Sequence, residues 1–312
     1  MTNVNRAREI QTILKNGFYH IAGALFLVLS KGKYWMRGYS SPKPFSTSDY
    51  DRCIQYDLNV VDHWLSWLQV YVNADNFLTA RHVLELGPGS DLGAGLYLLS
   101  KGVAKYNALD VNNLVSSTPY AFYEHFFDRL RDLNPDADME YLRNELDSTL
   151  SGNNRKLNYL CRKDFNITSA FPKSSIDIVF SQAAFEHFND IQKAIEGLSI
   201  VCKPGAILIA EIDLKTHSRW IREKDPNNIY RYSEWFYKLF EYSGAPNRIR
   251  PIVYKKIFEK CDWEDVRIIP LKIITTNDFE KTATVLHKRF HGDQNQMHYL
   301  SVMLCARKSG FV

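Results

Sequence analysis

The sequence predicts an α/β fold, in which a mostly parallel seven-stranded sheet carries helices on both faces. From Arg81 onward, short apolar runs alternate with stretches of helical periodicity, the pattern of parallel strands joined by crossover helices. The first run contains Val83, Leu84 and Leu86 and suits a strand that is covered on both faces. The composition, 45% hydrophobic and 24% charged over 312 residues, is ordinary for a globular protein with a sizeable core.

Two helices are predicted before the sheet, over residues 5–30 and 49–72, and the second repeats apolar residues at three- and four-residue steps. Within the first, the apolar run 21–29 is too short to span a bilayer. We interpret it as a helix that packs into the core, with a helix on a membrane surface as the alternative. Segment 33–42, rich in aromatic and basic residues, reads either as a loop over a substrate or as a packed arm.

The seven strands are predicted in chain order at 82–86, 106–111, 157–162, 176–180, 206–213, 266–274 and 299–306. The helices among them are predicted at 93–101, 120–133, 139–150, 191–202 and 251–261. Lys203-Pro204-Gly205 ends the helix before the fifth strand, because proline cannot continue a helix and glycine supplies a turn. We therefore predict a helical N-terminal cap or arm over 1–75 and one domain over 76–312, with insertions at 112–156 and 214–250.

The cysteines indicate a reducing compartment, and hence a cytoplasmic protein. They are odd in number and scattered, without a metal-ligand spacing: Cys53, Cys161, Cys202, Cys261 and Cys305. We accordingly expect no metal site. The net charge of +4 is too small to indicate nucleic-acid binding.

The first 45 residues are nevertheless basic. Against Glu9 they hold Arg6, Arg8, Lys15, Lys31, Lys33, Arg37 and Lys43. This excess of positive charge is compatible with weak contact between residues 1–45 and a membrane surface.

A glycine turn follows the first strand. Gly87 and Gly89 let the backbone turn sharply and approach a ligand closely. A dinucleotide site needs a third glycine three residues later, where Leu92 stands, so this turn is a poor dinucleotide site. Burial of the Glu85 carboxylate is costly unless donors satisfy it, which favours a cofactor that bears hydroxyl or ammonium groups.

The arrangement Glu85-x-Gly87-x-Gly89, with Asp110 ending the next strand, resembles motif I and the ribose-binding acid of class I S-adenosylmethionine-dependent methyltransferases, which have a Rossmann-like fold. The resemblance spans about residues 80–213. It continues at Asp164-Phe165, at 176–188, which is similar to the family's "fDxV…EH" segment, and at 203–205, which is similar to its "kPGG" turn.

The resemblance implies that S-adenosylmethionine is the cofactor. The cofactor-binding residues would be Glu85, Gly87, Pro88, Gly89, Asp110, Asp164, Phe165 and Ser181. Asp110 would accept the ribose hydroxyls, Asp164 would contact the adenine, and Glu85 would attract the methionine ammonium. Asp110 could instead cap a helix, Glu85 could form an ion pair, and Phe165 could stack on adenine or simply pack.

Two histidines are candidates for a general base, since His187 follows the fourth strand and His217 follows the fifth. Both therefore belong at the sheet edge that lines the ligand crevice of such folds. A base assists methyl transfer to an alcohol, whose pKa is far above neutral, and histidine is partly neutral near pH 7. Asp213 would orient the base or bind the acceptor. His187 could instead be structural, and either histidine could be a solvated loop residue.

The predicted function is methyl transfer to a hydroxyl of a small molecule or glycan. Segments such as 212–217 and 247–250 loosely resemble bacterial methyltransferases encoded with surface-polysaccharide genes. This resemblance implies an acceptor that could carry a phosphate, which Arg248, Arg250 or Arg289 of this chain could bind. The alternatives are an N-methyltransferase of a small molecule and an inactive binding or adaptor subunit. Nucleic acid is an unlikely partner at this net charge, and residues 181–184 lack the N/D-P-P-Y/F motif, which disfavours methylation of the exocyclic amine of adenine in nucleic acid. The oligomeric state is left open.

Overall fold

The computed structural model describes residues 3–38, 49–74 and 77–310. The helices are α1 (Asn3–Arg37), α2 (Tyr50–Val72), α3 (Gly93–Ser100), α4 (Tyr120–Leu133), α5 (Met139–Leu150), α6 (Ile167–Ala170), α7 (Ile191–Val201), α8 (Glu234–Leu239), α9 (Pro251–Lys260) and α10 (Thr276–Ala283). The strands are β1 (His82–Leu86), β2 (Lys105–Asp110), β3 (Leu157–Cys161), β4 (Ile176–Gln182), β5 (Cys202–Asp213), β6 (Trp263–Ile273) and β7 (Tyr299–Lys308).

The strands form one seven-stranded sheet in the order β3-β2-β1-β4-β5-β7-β6. The first five strands pair in parallel, whereas β7 is antiparallel to both β5 and β6. The strand order reverses at β1, which lies between β2 and β4. The predicted mostly parallel α/β fold is confirmed, and the reversal puts a ligand crevice at the carboxyl ends of β1 and β4.

Alternate residues of the strands enter two separate cores, one on each face of the sheet. Val83 belongs to the core formed with α2, α3, α4 and α5, and its neighbour Leu84 belongs to the core formed with α7 and α9. This two-sided burial explains why the strands read as apolar runs rather than as alternating patterns.

Helix α2 is part of the larger core. The Trp64 ring is fully buried and stacks on Phe180 of β4, with centroids 4.9 Å apart and planes 3° apart. The helical character predicted for the region before residue 75 is thus seen, and its second helix, α2, packs directly on the sheet.

The prediction that the run 21–29 packs into the core is wrong. Ile21, Leu25, Val28 and Leu29 are exposed in α1, and Leu27 is the buried apolar side chain of that run. The run lies on a long helix, and Ile21, Leu25, Val28 and Leu29 are on its solvent-facing side. The predicted loop 33–42 is also corrected in part, since α1 continues to Arg37; residues 39–42 lie outside the described residues.

The turn predicted at Lys203-Pro204-Gly205 is part of a strand. β5 begins at Cys202, and its pairing with β4 shifts register between Ile176 and Ile178. Gly205 has φ +79° at this irregularity, a conformation that glycine adopts easily. The chain therefore enters the sheet through a bulge before the regular strand.

Candidate active site

The glycine turn after β1 has the close-approach geometry that the sequence predicts. Gly87 and Gly89 have φ values of +74° and +82°. A Cβ atom on Gly87 would lie 2.7 Å from the Cβ of Ala184, so no side chain fits there. A Cβ atom on Gly89 would meet nothing within 4 Å, which shows that the turn opens onto free space. Pro88 lies between them, half-buried.

Three buried carboxylates surround this turn. Glu85 accepts a hydrogen bond from the Tyr106 hydroxyl, and Asp91 accepts one from the Gly93 amide at 3.1 Å. Asp57 comes from α2, beside Gly93. Burial, and then the charge of Glu85, raises the pKa of Tyr106 well above its ordinary value. Such a concentration of negative charge is stabilised by a cationic ligand.

Sequence reasoning missed Asp57 and Asp91. Asp91 follows Gly89 by two residues and could have been found from its position in the turn. Asp57 lies in a helix with no motif around it, and only the packing of α2 on the sheet brings it to the site.

Asp110 lies where a ribose-binding acid is needed. It ends β2, next to β1, and accepts a hydrogen bond from the Asn112 amide at 2.9 Å. Burial raises the pKa of its carboxyl group, a cost that hydroxyl donors of a bound ribose would offset.

Ser181, by contrast, stabilises the site from within the sheet. Its side chain is fully buried, and its hydroxyl donates to the Leu86 carbonyl at 3.1 Å. This hydrogen bond joins β4 to the end of β1. Ser181 therefore positions the two strands, and its buried side chain has no surface exposed to a cofactor.

Asp164 and Phe165 follow β3, as predicted, but both have partners within the protein. Asp164 is exposed and forms a two-pronged ion pair with Arg162, at 3.1 and 3.0 Å, which lowers its pKa to about 2. The Phe165 ring packs 4.8 Å from that of Phe188. This contact is compatible with the packing role, and the predicted contact of Phe165 with adenine stays a prediction.

The structure brings the two candidate bases together. The rings of His187 and His217 meet edge to face, with centroids 4.9 Å apart. His187 Nδ1 lies 2.6 Å from the Gly244 carbonyl oxygen; because a carbonyl only accepts, Nδ1 carries the proton and Nε2 holds the lone pair. Burial lowers the pKa of both histidines, that of His217 to about 4. Both rings are therefore neutral near pH 7.

Glu186 completes this pair, and sequence reasoning missed it. Its Oε1 accepts from the Asp213 amide at 3.3 Å, and its buried Oε2 has no hydrogen-bond partner among the described residues. Burial, and then the nearby Asp213 charge, raises the pKa of Glu186 well above its ordinary value. We call Glu186, His187 and His217 the histidine cluster. Their ligand atoms lie within 4.8 Å of one another, so the cluster could also hold a metal ion.

Asp213 lies beside the cluster, but its carboxylate is engaged elsewhere. Arg222 donates to its Oδ2, and the Lys215 amide donates to its Oδ1 at 3.1 Å. Within the described residues no hydrogen bond joins Asp213 to either histidine, so the predicted orienting role is not seen. Asp213 contributes negative charge near the histidines instead.

A short turn, Phe185–His187, carries the first two cluster residues and connects them to the glycine turn. Ala184 immediately before it is the residue that contacts Gly87. Asn247 holds the other side, donating to the carbonyls of Phe185 and Phe188 at 2.8 and 3.2 Å. The candidate cofactor and acceptor sites are therefore in direct contact.

The predicted phosphate-binding role of Arg248 and Arg250 is wrong. Both side chains are buried: Arg248 bonds to the carbonyls of Ile229 and Tyr232, and Arg250 to carbonyls in the 295–299 segment. Arg289 is half-exposed and paired with Glu234. These arginines stabilise the region after β5.

A third histidine near the sheet edge is a poorer base. His63 Nε2 accepts from the Trp67 indole at 2.7 Å, while Nδ1 faces Glu211 at 3.7 Å. Because both ring nitrogens have partners, no lone pair of His63 is available to an acceptor.

Comparison with protein families found a matching family model. It is described as a methyltransferase domain and matches residues 132–210, from α4 into β5; the glycine turn and Asp110 lie N-terminal to the matched segment. Residues 132–210 thus match a methyltransferase domain, and the fold around them is consistent with the Rossmann-like α/β fold of such enzymes. A search of curated proteins found no match.

Solved structures similar to this chain share little sequence with it. A chain from the complex of the Haloferax volcanii Trm112 methyltransferase activator with a methyltransferase is 15% identical, with a TM-score of 0.44, over 85% of this chain and 98% of that one. Phosphoethanolamine N-methyltransferase 2 of Haemonchus contortus, in complex with S-adenosylmethionine, is 13% identical, with a TM-score of 0.46, over 80% and 52%. An S-adenosylmethionine-dependent methyltransferase of Mesorhizobium loti is 10% identical, with a TM-score of 0.40, over 74% and 92%. These identities are too low to transfer an acceptor to this chain.

The residues around the glycine turn fit the cofactor of a methyltransferase. S-adenosylmethionine supplies a methyl group on a positively charged sulfur, next to an ammonium group. The buried carboxylates at Glu85, Asp91 and Asp57 match that positive charge, Asp110 matches the ribose hydroxyls, and the space beside Gly89 admits a ligand.

Proposed function

We propose that this protein methylates a hydroxyl group of a small molecule or a glycan, and that the histidine cluster receives the hydroxyl proton. The observation that supports this proposal is the pair of partly buried histidines, neutral near pH 7, that meet edge to face close to Ala184, the residue that contacts Gly87. An amine or an acidic hydroxyl needs little more than alignment with the methyl group. A neutral base is what an alcohol requires in addition.

His217 is the proposed base, with His187 packed against it and anchored to Gly244. Because its pKa is about 4, His217 alone is a weak proton acceptor. The negative charge of nearby Asp213 counters this weakness in part, because it favours the protonated ring. His217 thus takes the proton from the acceptor hydroxyl as its oxygen bonds to the methyl group.

We further propose that the reaction takes place in the cytoplasm. All five cysteines are free, and Cys161 is exposed. Free thiols persist in a reducing compartment.

The base is tested with the variants His217→Ala and His187→Ala, and His125→Ala, at an exposed position on α4, is the control. Release of S-adenosylhomocysteine is measured over a panel of hydroxylated small molecules and glycans. Loss of a general base lowers kcat by about 10²–10⁴-fold, while cofactor affinity stays unchanged. Full turnover in both variants would contradict the histidine base, and a product with the methyl group on nitrogen would contradict O-methylation.

The cofactor site is tested separately by calorimetry with S-adenosylhomocysteine. Asp110→Ala and Glu85→Gln are each expected to weaken binding by about tenfold or more, as for loss of a hydrogen bond to a charged group. Asp128→Ala, on the exposed side of α4, is the control. Unchanged affinity in both variants would place the cofactor elsewhere.

A further inference from the structure

Helix α1 presents a continuous apolar stripe to solvent. Ile10, Leu14, Phe18, Ile21, Leu25 and Leu29 recur at steps of three and four residues, and each is between 51% and 69% exposed. We call these six residues the outer stripe. An exposed apolar surface of this length is unusual for a soluble protein and marks an interaction site.

The opposite face of α1 is fixed to the protein by polar contacts. Asn228 donates to the Tyr19 carbonyl at 2.8 Å, and Tyr232 donates to the His20 carbonyl at 2.7 Å. Asn16 donates to a carbonyl of α10, and Lys31 to one of α8. The helix therefore cannot rotate to bury the outer stripe against its own domain.

We propose that the outer stripe docks on the surface of an anionic lipid bilayer, with α1 lying in the plane of the membrane. Three exposed basic residues accompany the stripe: Lys15, Lys33 and Arg37. Among the side chains of α1 that the structure describes, Glu9 alone is acidic. Trp35, which is 83% exposed, adds an interfacial aromatic ring. An apolar face with flanking positive charge is the pattern of interfacial helices that bind anionic lipids.

Two other occupants suit the stripe less well. A second copy of α1 packed antiparallel on the first would bring Lys15 of each helix toward Lys33 of the other, which is repulsive. Segment Glu9–Arg37 is long and apolar enough, by length and composition alone, to cross a membrane. Its uncharged stretch 16–30 is nevertheless shorter than the ~20 residues that a bilayer core requires, and spanning would break the polar contacts of the inner face.

The proposal is tested on the full chain by sedimentation with vesicles of neutral phosphatidylcholine, with and without phosphatidylglycerol. We expect binding to the anionic vesicles that weakens with added salt. The double variant Ile21→Glu/Leu25→Glu should lose at least tenfold in binding, whereas Val70→Glu/Ile200→Glu, at exposed positions of α2 and α7, should lose far less. Lys15→Gln and Lys33→Gln should each weaken binding by about fivefold. Unchanged binding of S-adenosylhomocysteine shows that each variant is folded.

Three outcomes would overturn the proposal. The first is the absence of binding to anionic vesicles, or equal binding by the Ile21→Glu/Leu25→Glu variant. The second is a dimer in light scattering that this variant converts to a monomer, which would assign the stripe to a second copy. The third is resistance of the membrane-bound protein to alkaline carbonate extraction, which would show that α1 spans the bilayer. The inference concerns α1 and does not depend on the acceptor of the methyl group.

Discussion

The ionisation of the histidine cluster is set by burial rather than by ion pairing. His217 loses solvation with little hydrogen bonding in return, so its pKa falls to about 4. The pKa of Glu186 shifts upward instead, because burial favours the neutral form and the neutral form of a carboxyl group is the protonated one. The two histidine rings are therefore neutral near pH 7, and burial shifts Glu186 toward its neutral form as well.

We predict that the His217 ring remains neutral down to about pH 4, in contrast to the ordinary histidine pKa of 6.5. NMR titration of the histidine ring nitrogens, assigned with His217→Ala, measures this pKa directly. A midpoint near 6.5 would show that the ring is solvated.

The same shift makes stability depend on pH. Between pH 6.5 and about pH 4 the unfolded chain protonates this histidine before the folded protein does, so stability falls as pH falls, by at most about 3 kcal/mol. Glu186 has a raised pKa in the folded protein, so its contribution to stability falls as the pH rises above 4.5, the ordinary pKa of a glutamate. The two effects overlap in unfolding data, and the ring titration separates them.

The residues that sequence could predict at the site are those fixed by local geometry. Gly87 and Gly89 occupy left-handed backbone conformations, and Asp110 ends a strand next to them. Glu186 and Asp57 could not be predicted, since their surroundings come from segments distant in sequence. Asp213 was placed in the correct region, but its partner Arg222 was not foreseeable from spacing.

At the scale of elements, the Phe185–His187 turn depends on one amide side chain. Asn247 donates to two carbonyls of the turn and accepts from the Ile249 amide at 3.0 Å. This triple contact fixes the position of His187 relative to the glycine turn.

We predict that Asn247→Ala destabilises the protein by about 1–3 kcal/mol, because it leaves partly buried carbonyls without donors, and that it lowers kcat more than cofactor affinity. Urea unfolding and turnover measure the two effects. Asn154→Ala removes a similar pair of amide-to-backbone bonds at an exposed site and should change neither by much. Equal effects of the two variants would remove the positioning role from Asn247.

Sequence predicts best those helices and strands in which the repeat of apolar residues matches the face that is buried. α4 and α5 begin and end at the predicted residues. The run in α1 was misread, because 3.6-residue periodicity reports that a helix has an apolar face without reporting what covers it. The start of β5 was missed because a bulge lets Pro204 and Gly205 stand inside a strand.

For the whole molecule, the packing of α2 on the sheet links this N-terminal helix to the core. Trp64 is fully buried, and its ring lies flat on Phe180 of the central strand β4. A helix joined to the core in this way is expected to unfold together with it.

We predict that Trp64→Ala lowers the free energy of unfolding by about 3–5 kcal/mol, as for other large core truncations, within a single transition. Trp220→Ala is the matched control, since that ring is 93% exposed. Chemical denaturation followed by circular dichroism checks both. A separate early transition in the Trp64→Ala variant would instead show that α2 unfolds independently of the sheet.

The side chain of His217 borders a cavity of only about 20 Å³, whose walls include Phe26 and Leu27 of α1. That volume holds about one water molecule, so anything larger than a single oxygen atom enters only if the wall yields. The wall belongs to the helix whose far side carries the outer stripe. One helix thus forms part of the wall beside the proposed base with one side and carries the outer stripe on the other.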